Sequence, residues 1–318
     1  MKVRWFITHK KSETYSDCCD RFSCNAANRR MAISDGISQS VFSGEWAEIL
    51  TEGYVKGLNL GDESERVHLC EMWLERVQSY VAEKKKTGVS TWRLERHLTE
   101  KNGAGATFCG IEFKNRSDWD GFVLGDSCLI EVENECGSYK INIHSSNVDG
   151  VFDNCPDYFD SFESNNGKGH PKQLCGKISD RSFLLLVTDP FASFLSRNKD
   201  NITQYIEQIL ALVDHKGFCH LVDKWRTNGM TDDDSTLGII EYDGEDNETE
   251  LHRDDLHKLI EKGDRGLLIK IGQTISKYRG QRRMNGNLRQ RIERRTLNVN
   301  FNARKRRNIK KHTTARKH

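Results

Sequence analysis

SDGISQSVFSGEW, residues 34–46, lies between NRRMAI (28–33), a short run with the make-up of a strand, and WAEILTEGYV (46–55), whose apolar spacing is that of a helix. An Asp-Gly pair where a strand ends sets a carboxylate beside an unhindered backbone carbonyl, and hard divalent cations take oxygen ligands of this kind. Asp35 and Gly36 are therefore the first metal candidates. An isolated Asp-Gly is more often a plain turn, so the weight of the pair rests on what surrounds it.

Upstream, MKVRWFIT (1–8) alternates like an opening strand, and RFSCNAANRRMAI (21–33) reads as two short strands joined by an Ala-Asn turn. Phe42, Trp46, Leu50 and Tyr54 recur at helical spacing, with Ser43 as the expected N-cap. A longer helix is expected over about 63–86, with Val67, Cys70, Trp73, Leu74, Val77 and Val81 on one face, and a third from a cap at Ser90 or Thr91 to Asn102-Gly103. These stripes read as core, not chemistry.

Downstream, ATFCGIEF (106–113), DGFVLG (120–125), CLIEVE (128–133) and YKINIH (139–144) have the lengths and turn-rich borders of antiparallel strands. Residues 146–180 read as polar loop, and FLLLV (183–187) as a fully apolar strand. Helices near 190–197, 201–214 and 217–227 precede a closing strand, STLGIIEY (235–242). Strands and helices come in blocks and not in strict alternation, which predicts an α+β layered domain with antiparallel sheets.

No run approaches the ~18 apolar residues of a membrane span, and the N-terminus lacks the apolar segment of a signal peptide. A cytoplasmic protein without membrane contact is the expectation, with its ten cysteines as free thiols because they show no CxxC or regular spacing. The net charge of +2 conceals an asymmetry. Of 49 Lys and Arg, 16 lie from Lys277 onward against one acidic residue, Glu293, whereas the preceding residues carry 33 basic and 46 acidic side chains.

Four aspartates stand at strand boundaries: Asp35 after RRMAIS, Asp126 after GFVLG, Asp189 after FLLLVT, and Asp233 just before STLGIIEY. In an antiparallel sheet the end of one strand neighbours the start of the next, so all four can share one rim. Their mutual repulsion there would be relieved by divalent metal, and a metal pair can activate water and hold a phosphoryl oxygen. The chain has no HExxH, Walker loop, GxSxG or CxxxxxR motif, and no cysteine or histidine shows a convincing partner for nucleophilic work.

CDRFSC (19–24), AISDGISQSVFSGEWAEIL (32–50), GAGATFCGIEF (103–113), VLGDS (123–127), LLLVTDPFASFL (184–195) and DDDSTLGII (232–240) resemble, in order and spacing, the motifs of the metal-dependent, type 2C protein Ser/Thr phosphatases, most closely divergent bacterial-type members. The likeness covers about residues 1–242. It implies a four-layer αββα sandwich with a Mn2+ or Mg2+ pair at one edge, and hydrolysis of phosphoprotein monoesters by water held between the metals. It also implies roles. Asp35 would bridge the metals, the Gly36 carbonyl would bind one, and Asp189 and Asp233 would complete a shell. Asp126 would serve a weaker third site, and Asp20 would act catalytically as the acid that holds the water.

The departures are specific. Cys19 stands where the family usually has an acid, Ile37, Ser38 and Gln39 replace its GGH, and Pro190 follows Asp189 in place of Gly. The phosphate-binding arginine has no secure counterpart, and Lys10 or Lys11 would have to stand in as a point charge.

The expected domains are a phosphatase domain (1–245), an acidic linker with a helical extension (246–278) and a basic, disordered tail (279–318). Two expectations stand for such a tail: non-specific binding of polyanions by counterion release, with nucleic acid the obvious partner, or an extension that is solvated or folds back on the acidic body. The rival expectation for the whole chain is a catalytically weak phosphatase-fold module that binds or senses, tethered to nucleic acid by the tail.

Overall fold

Apolar side chains stand on both faces of the central strands, so each sheet has to be covered twice. The computed structural model describes residues 1–146, 156–166, 171–242 and 249–263. In chain order the elements are β1 (Lys2–Thr8), β2 (Arg21–Asn25), β3 (Arg30–Ser34), α1 (Ser43–Val55), α2 (Glu63–Lys86), α3 (Trp92–Thr99), β4 (Gly105–Ala106), β5 (Phe108–Phe113), β6 (Asp118–Leu124) and β7 (Cys128–Glu135). They continue with β8 (Ser138–His144), β9 (Phe159–Asp160), β10 (Lys172–Lys177), β11 (Ser182–Val187), α4 (Asp189–Arg197), α5 (Ile202–Leu210), α6 (His215–Thr227), β12 (Ser235–Glu241) and β13 (Thr249–Arg253). One sheet has the order β13-β1-β12-β11-β7-β8 and the other β10-β6-β5-β3-β2. Their neighbours run antiparallel, except that β13 lies parallel to β1.

Strand alternation assigns each side chain to a layer. On β11, Leu184 and Leu186 enter the central core between the sheets, with Val3 and Trp5 of β1 and Met31 and Ile33 of β3. Phe183, Leu185 and Val187 point the other way, into a core shared with Phe191, Phe218 and Trp225 of the helices α4 and α6. This is why FLLLV carries no polar residue: both of its faces are buried, each side chain contributing about 1.5–3 kcal/mol. On the second sheet, Ala32, Phe108 and Phe122 face outward against Trp46, Leu50 and Tyr54 of α1 and Trp73 of α2. The result is helix, sheet, sheet, helix, the four-layer α+β sandwich expected from the sequence.

Several local expectations are corrected. Ser43 is the first residue of α1 and not its cap; Phe42 takes that place in the left-handed region at φ 55° with no side-chain capping bond. Val67 is 39% exposed, and Leu69 instead joins Cys70, Trp73, Val77 and Val81 on the buried face of α2. Residues 146–180 are not all loop: β10 pairs along β6 as an edge strand, polar because most of its side chains are exposed. Thr249–Arg253, read from sequence as linker, joins the sheet as β13. The helix expected over 201–214 ends at Leu210.

Residues 1–260 form one compact unit, and a second begins at Glu261. The basic tail (279–318) and most of the extension before it lie outside the described residues. No helix among the described residues is long and apolar enough to cross a membrane.

Candidate metal centre

The Asp-Gly pair sits where β3 runs off its sheet. Thr107 N donates to Asp35 O at 2.9 Å and Ile37 N to Gly105 O at 2.9 Å, two bonds that straddle Gly36 and leave its carbonyl out of the ladder. A side chain at Gly36 would collide with the Ser43 backbone carbonyl carbon at 2.7 Å, so only glycine lets α1 start this close to the strand end. The loop bearing Asp126 is similarly constrained. Gly125 has φ +79°, and a Cβ there would lie 2.3 Å from Asp157 O.

Asp20 is completely buried. Its Oδ2 accepts hydrogen bonds from Thr188 Oγ1 at 3.1 Å and Thr236 Oγ1 at 2.7 Å. The two threonines are themselves tied, Thr236 N donating to Thr188 Oγ1 at 2.9 Å. Among the described residues no donor reaches the Asp20 Oδ1. An orphaned buried carboxylate oxygen is costly unless a cation or water meets it.

Around it the charges accumulate. Burial, and after it the charge of Asp234, pushes the Asp20 carboxyl up to about 7. Asp189 opens α4, and burial with the charges of Asp126, Asp233 and Asp20 pushes its carboxyl up to about 8. Asp35 is held well above the usual carboxylate range by burial and then by Asp20, Asp189 and Asp126. The structure therefore brings together Asp20, Asp35, Asp126, Asp189 and Asp233, the aspartates singled out from the sequence.

Among the described residues a lysine stands with them. Lys10 Nζ lies 3.0 Å from Asp233 Oδ1 and donates to Ser38 Oγ at 2.8 Å. Burial works against its charge, but the bond to Asp233 and the charges of Asp233, Asp234 and Glu13 more than offset it and hold the ammonium protonated. Lys11 differs: it is exposed, with its backbone N donating to Asp232 Oδ1 at 3.2 Å.

Asp234 is the site residue that sequence reading missed. It is buried, and its carboxylate accepts from Lys10 N at 3.1 Å and Cys19 N at 2.8 Å. It thereby anchors both ends of the loop that presents Lys10 and Asp20. Arg226 of α6 closes the frame from behind, donating to His9 O at 3.1 Å and Asp233 O at 2.7 Å. Cys19, the departure beside Asp20, accepts from Ser43 Oγ at 3.3 Å, linking this loop to the start of α1.

The donor set is oxygen only, which suits Mg2+ or Mn2+ and not a soft metal. Among the described residues no three His, Cys, Asp or Glu side chains close into a metal cage. Open carboxylate sites of this kind are those of cations that keep several waters and take only one or two carboxylates each. The orphaned Asp20 oxygen and the raised carboxyls fit such an ion.

No protein-family model and no curated protein sequence matches the chain. Solved structures do match in fold. A bacterial serine phosphatase carrying a single substitution superposes with a TM-score of 0.51 at 12% identity, covering 76% of this chain and 98% of that one. The serine/threonine phosphatase Stp1 from Staphylococcus aureus gives a TM-score of 0.50 at 12% identity, covering 76% and 95%. The fold is thus that of bacterial serine/threonine phosphatases.

Proposed function

We propose that this chain belongs to the type 2C phosphatases and hydrolyses phosphoserine or phosphothreonine monoesters in proteins, with two divalent cations, Mn2+ or Mg2+. The observation that carries this reading is the rim itself: Asp20, Asp35, Asp126 and Asp189 press their charges together with Lys10 as the cation beside them. Asp35, the Gly36 carbonyl, Asp189 and Asp233 would hold the metals, with Asp126 serving a weaker third. When bound, such ions supply Lewis acidity toward the phosphoryl oxygens and acidify water.

The chain's own residues do the rest. Asp20, fixed at Oδ2 by two threonines, offers Oδ1 to accept a proton from water at the rim. Lys10, held by Ser38 and Asp233, presents a permanent positive charge to a phosphate, as a point charge without the fork of an arginine. Ile37, Ser38 and Gln39 supply no histidine to protonate the leaving alkoxide.

A catalytically weak sensing module is the second reading, favoured by the Lys10–Asp233 pair, which sets an internal cation on a candidate metal ligand. Hydrolysis of an aryl phosphate and of a phosphothreonine peptide, with Mn2+, with Mg2+ and with EDTA, separates the two. The phosphatase reading expects Mn2+-dependent turnover that EDTA and Asp35→Asn both abolish. Absence of turnover in protein that still binds Mn2+ supports the sensing module.

A further inference from the structure

Away from the carboxylate rim, the N-terminal turns of α6 carry His215 and Cys219, spaced i and i+4 on one helix face. Cys219 Sγ lies 3.4 Å from His215 Nε2, and His215 Nδ1 donates to Asp254 Oδ2 at 2.8 Å. Asp254 is buried and follows β13; its carboxylate also accepts from Ile7 N at 2.8 Å and His252 Nε2 at 2.8 Å. On the other side, Tyr15 Oη lies 2.9 Å from His215 Nε2 and 3.7 Å from Cys219 Sγ, and Thr8 Oγ1 is 3.8 Å from the sulfur. Thiol, imidazole and carboxylate thus stand in line, with two hydroxyls against the sulfur. The expectation that no cysteine here has a partner is corrected, because Asp254 is too far along the chain for the trio to be read from spacing.

We infer that Cys219 is a reactive thiolate, activated by His215 and Asp254, and a site of oxidation by hydroperoxides. Cys219 is half-buried, not sealed. Burial opposes the imidazolium, but the bond to Asp254 and then the sulfur raise His215 to about 10, so both ring nitrogens carry hydrogen. Burial would likewise push the thiol up, yet the His215 bond and charge bring it below the ordinary value. Burial pushes Cys18, Cys19, Cys70, Cys109 and Cys128 the other way. In the step itself the sulfur attacks one peroxide oxygen, the S–O bond forms and the O–O bond breaks. The departing hydroxide (alkoxide, for an organic hydroperoxide) takes the His215 Nε2 proton and leaves as water (or the alcohol). Cysteine is oxidised by two electrons to the sulfenic acid, and the peroxide is reduced. This inference stands apart from the phosphatase reading, since none of its residues belongs to the rim.

The test is peptide-resolved labelling of the full chain by iodoacetamide at pH 6.5, with dimedone trapping after dilute hydrogen peroxide as a second readout. An ordinary thiol near 8.5 is ~1% thiolate at that pH, and the lower nucleophilicity of an acidic thiolate offsets part of the gain, leaving about a tenfold advantage. Cys219 is expected to label about tenfold faster than the exposed Cys136 and Cys175, to carry the dimedone adduct, and to lose the advantage in His215→Gln. Labelling of Cys219 no faster than those two cysteines overturns the inference, as does an unchanged rate in a folded His215→Gln. The wild-type comparison decides the matter without any variant.

Discussion

Asp254, against β1, and Asp20, against β12, are both buried aspartates, and they are satisfied in opposite ways. Asp254 receives a backbone amide and two histidines, all supplied by the chain. Asp20 receives two threonine hydroxyls on one oxygen and, among the described residues, no donor on the other, and its acidic neighbours add repulsion. A buried carboxylate whose donors come from within is a strut of the fold. One whose surroundings add negative charge faster than they supply donors needs a cation from outside, and that difference, more than the number of acids, separates a packing feature from a candidate metal site.

Single substitutions should move the two regions in opposite directions. At the rim, Asp189→Asn removes a proposed metal ligand. Turnover of a phosphothreonine peptide should fall by more than the roughly 10–100-fold that loss of a mere supporting partner costs. The same variant, melted in EDTA, should be at least as stable as wild type, because the fold no longer has to bury this carboxyl and keep it protonated. Asp254→Asn should instead cost about 3 kcal/mol in denaturant titration, since it strips the partner from two histidines. Equal destabilisation by both would break the comparison.

A smaller effect is expected at Lys10. Lys10→Met should raise KM for the phosphopeptide about tenfold with less change in kcat, the scale of one hydrogen bond to a charged group. Steady-state kinetics with Lys10→Arg alongside would show whether charge alone suffices.

The smallest expected effect concerns pH. Folded Asp20 and Asp189 hold protons up to about 7 and about 8, whereas the unfolded chain releases them near 3.9. Between these values the folded state binds more protons, so the stability contributed by these groups falls as pH rises. Metal-free protein should lose several degrees of melting temperature between pH 5.5 and pH 8, and Mn2+ should restore more at pH 8 than at pH 5.5. A melt that is flat across this range would show that the rim is not under charge strain.

The layering was legible because FLLLV is apolar on both faces and apolar content reports burial directly; MKVRWFIT read only as an alternating strand, and the structure buries nearly all of it. Asp35, Asp126, Asp189 and Asp233 were legible because each closes or opens an apolar run. Asp234 was not: beside Asp233 it looks like one more acid of a turn, and only the fold shows it turned inward to bind the amides of Lys10 and Cys19. β10 and β13 escaped because edge strands with exposed side chains carry no apolar alternation. His215 and Cys219 show a helical spacing, but their meaning depends on Asp254 and Tyr15, which only tertiary structure delivers.

The most direct test of the open rim is calorimetric titration of the metal-free full chain with Mn2+, for wild type and Asp35→Asn. Saturable binding in the wild type that is lost in the variant, with both folded by circular dichroism, is the predicted result. Wild-type protein that takes up no Mn2+, or a variant that binds it as well as wild type, would contradict the assignment of this carboxylate cluster as the metal centre.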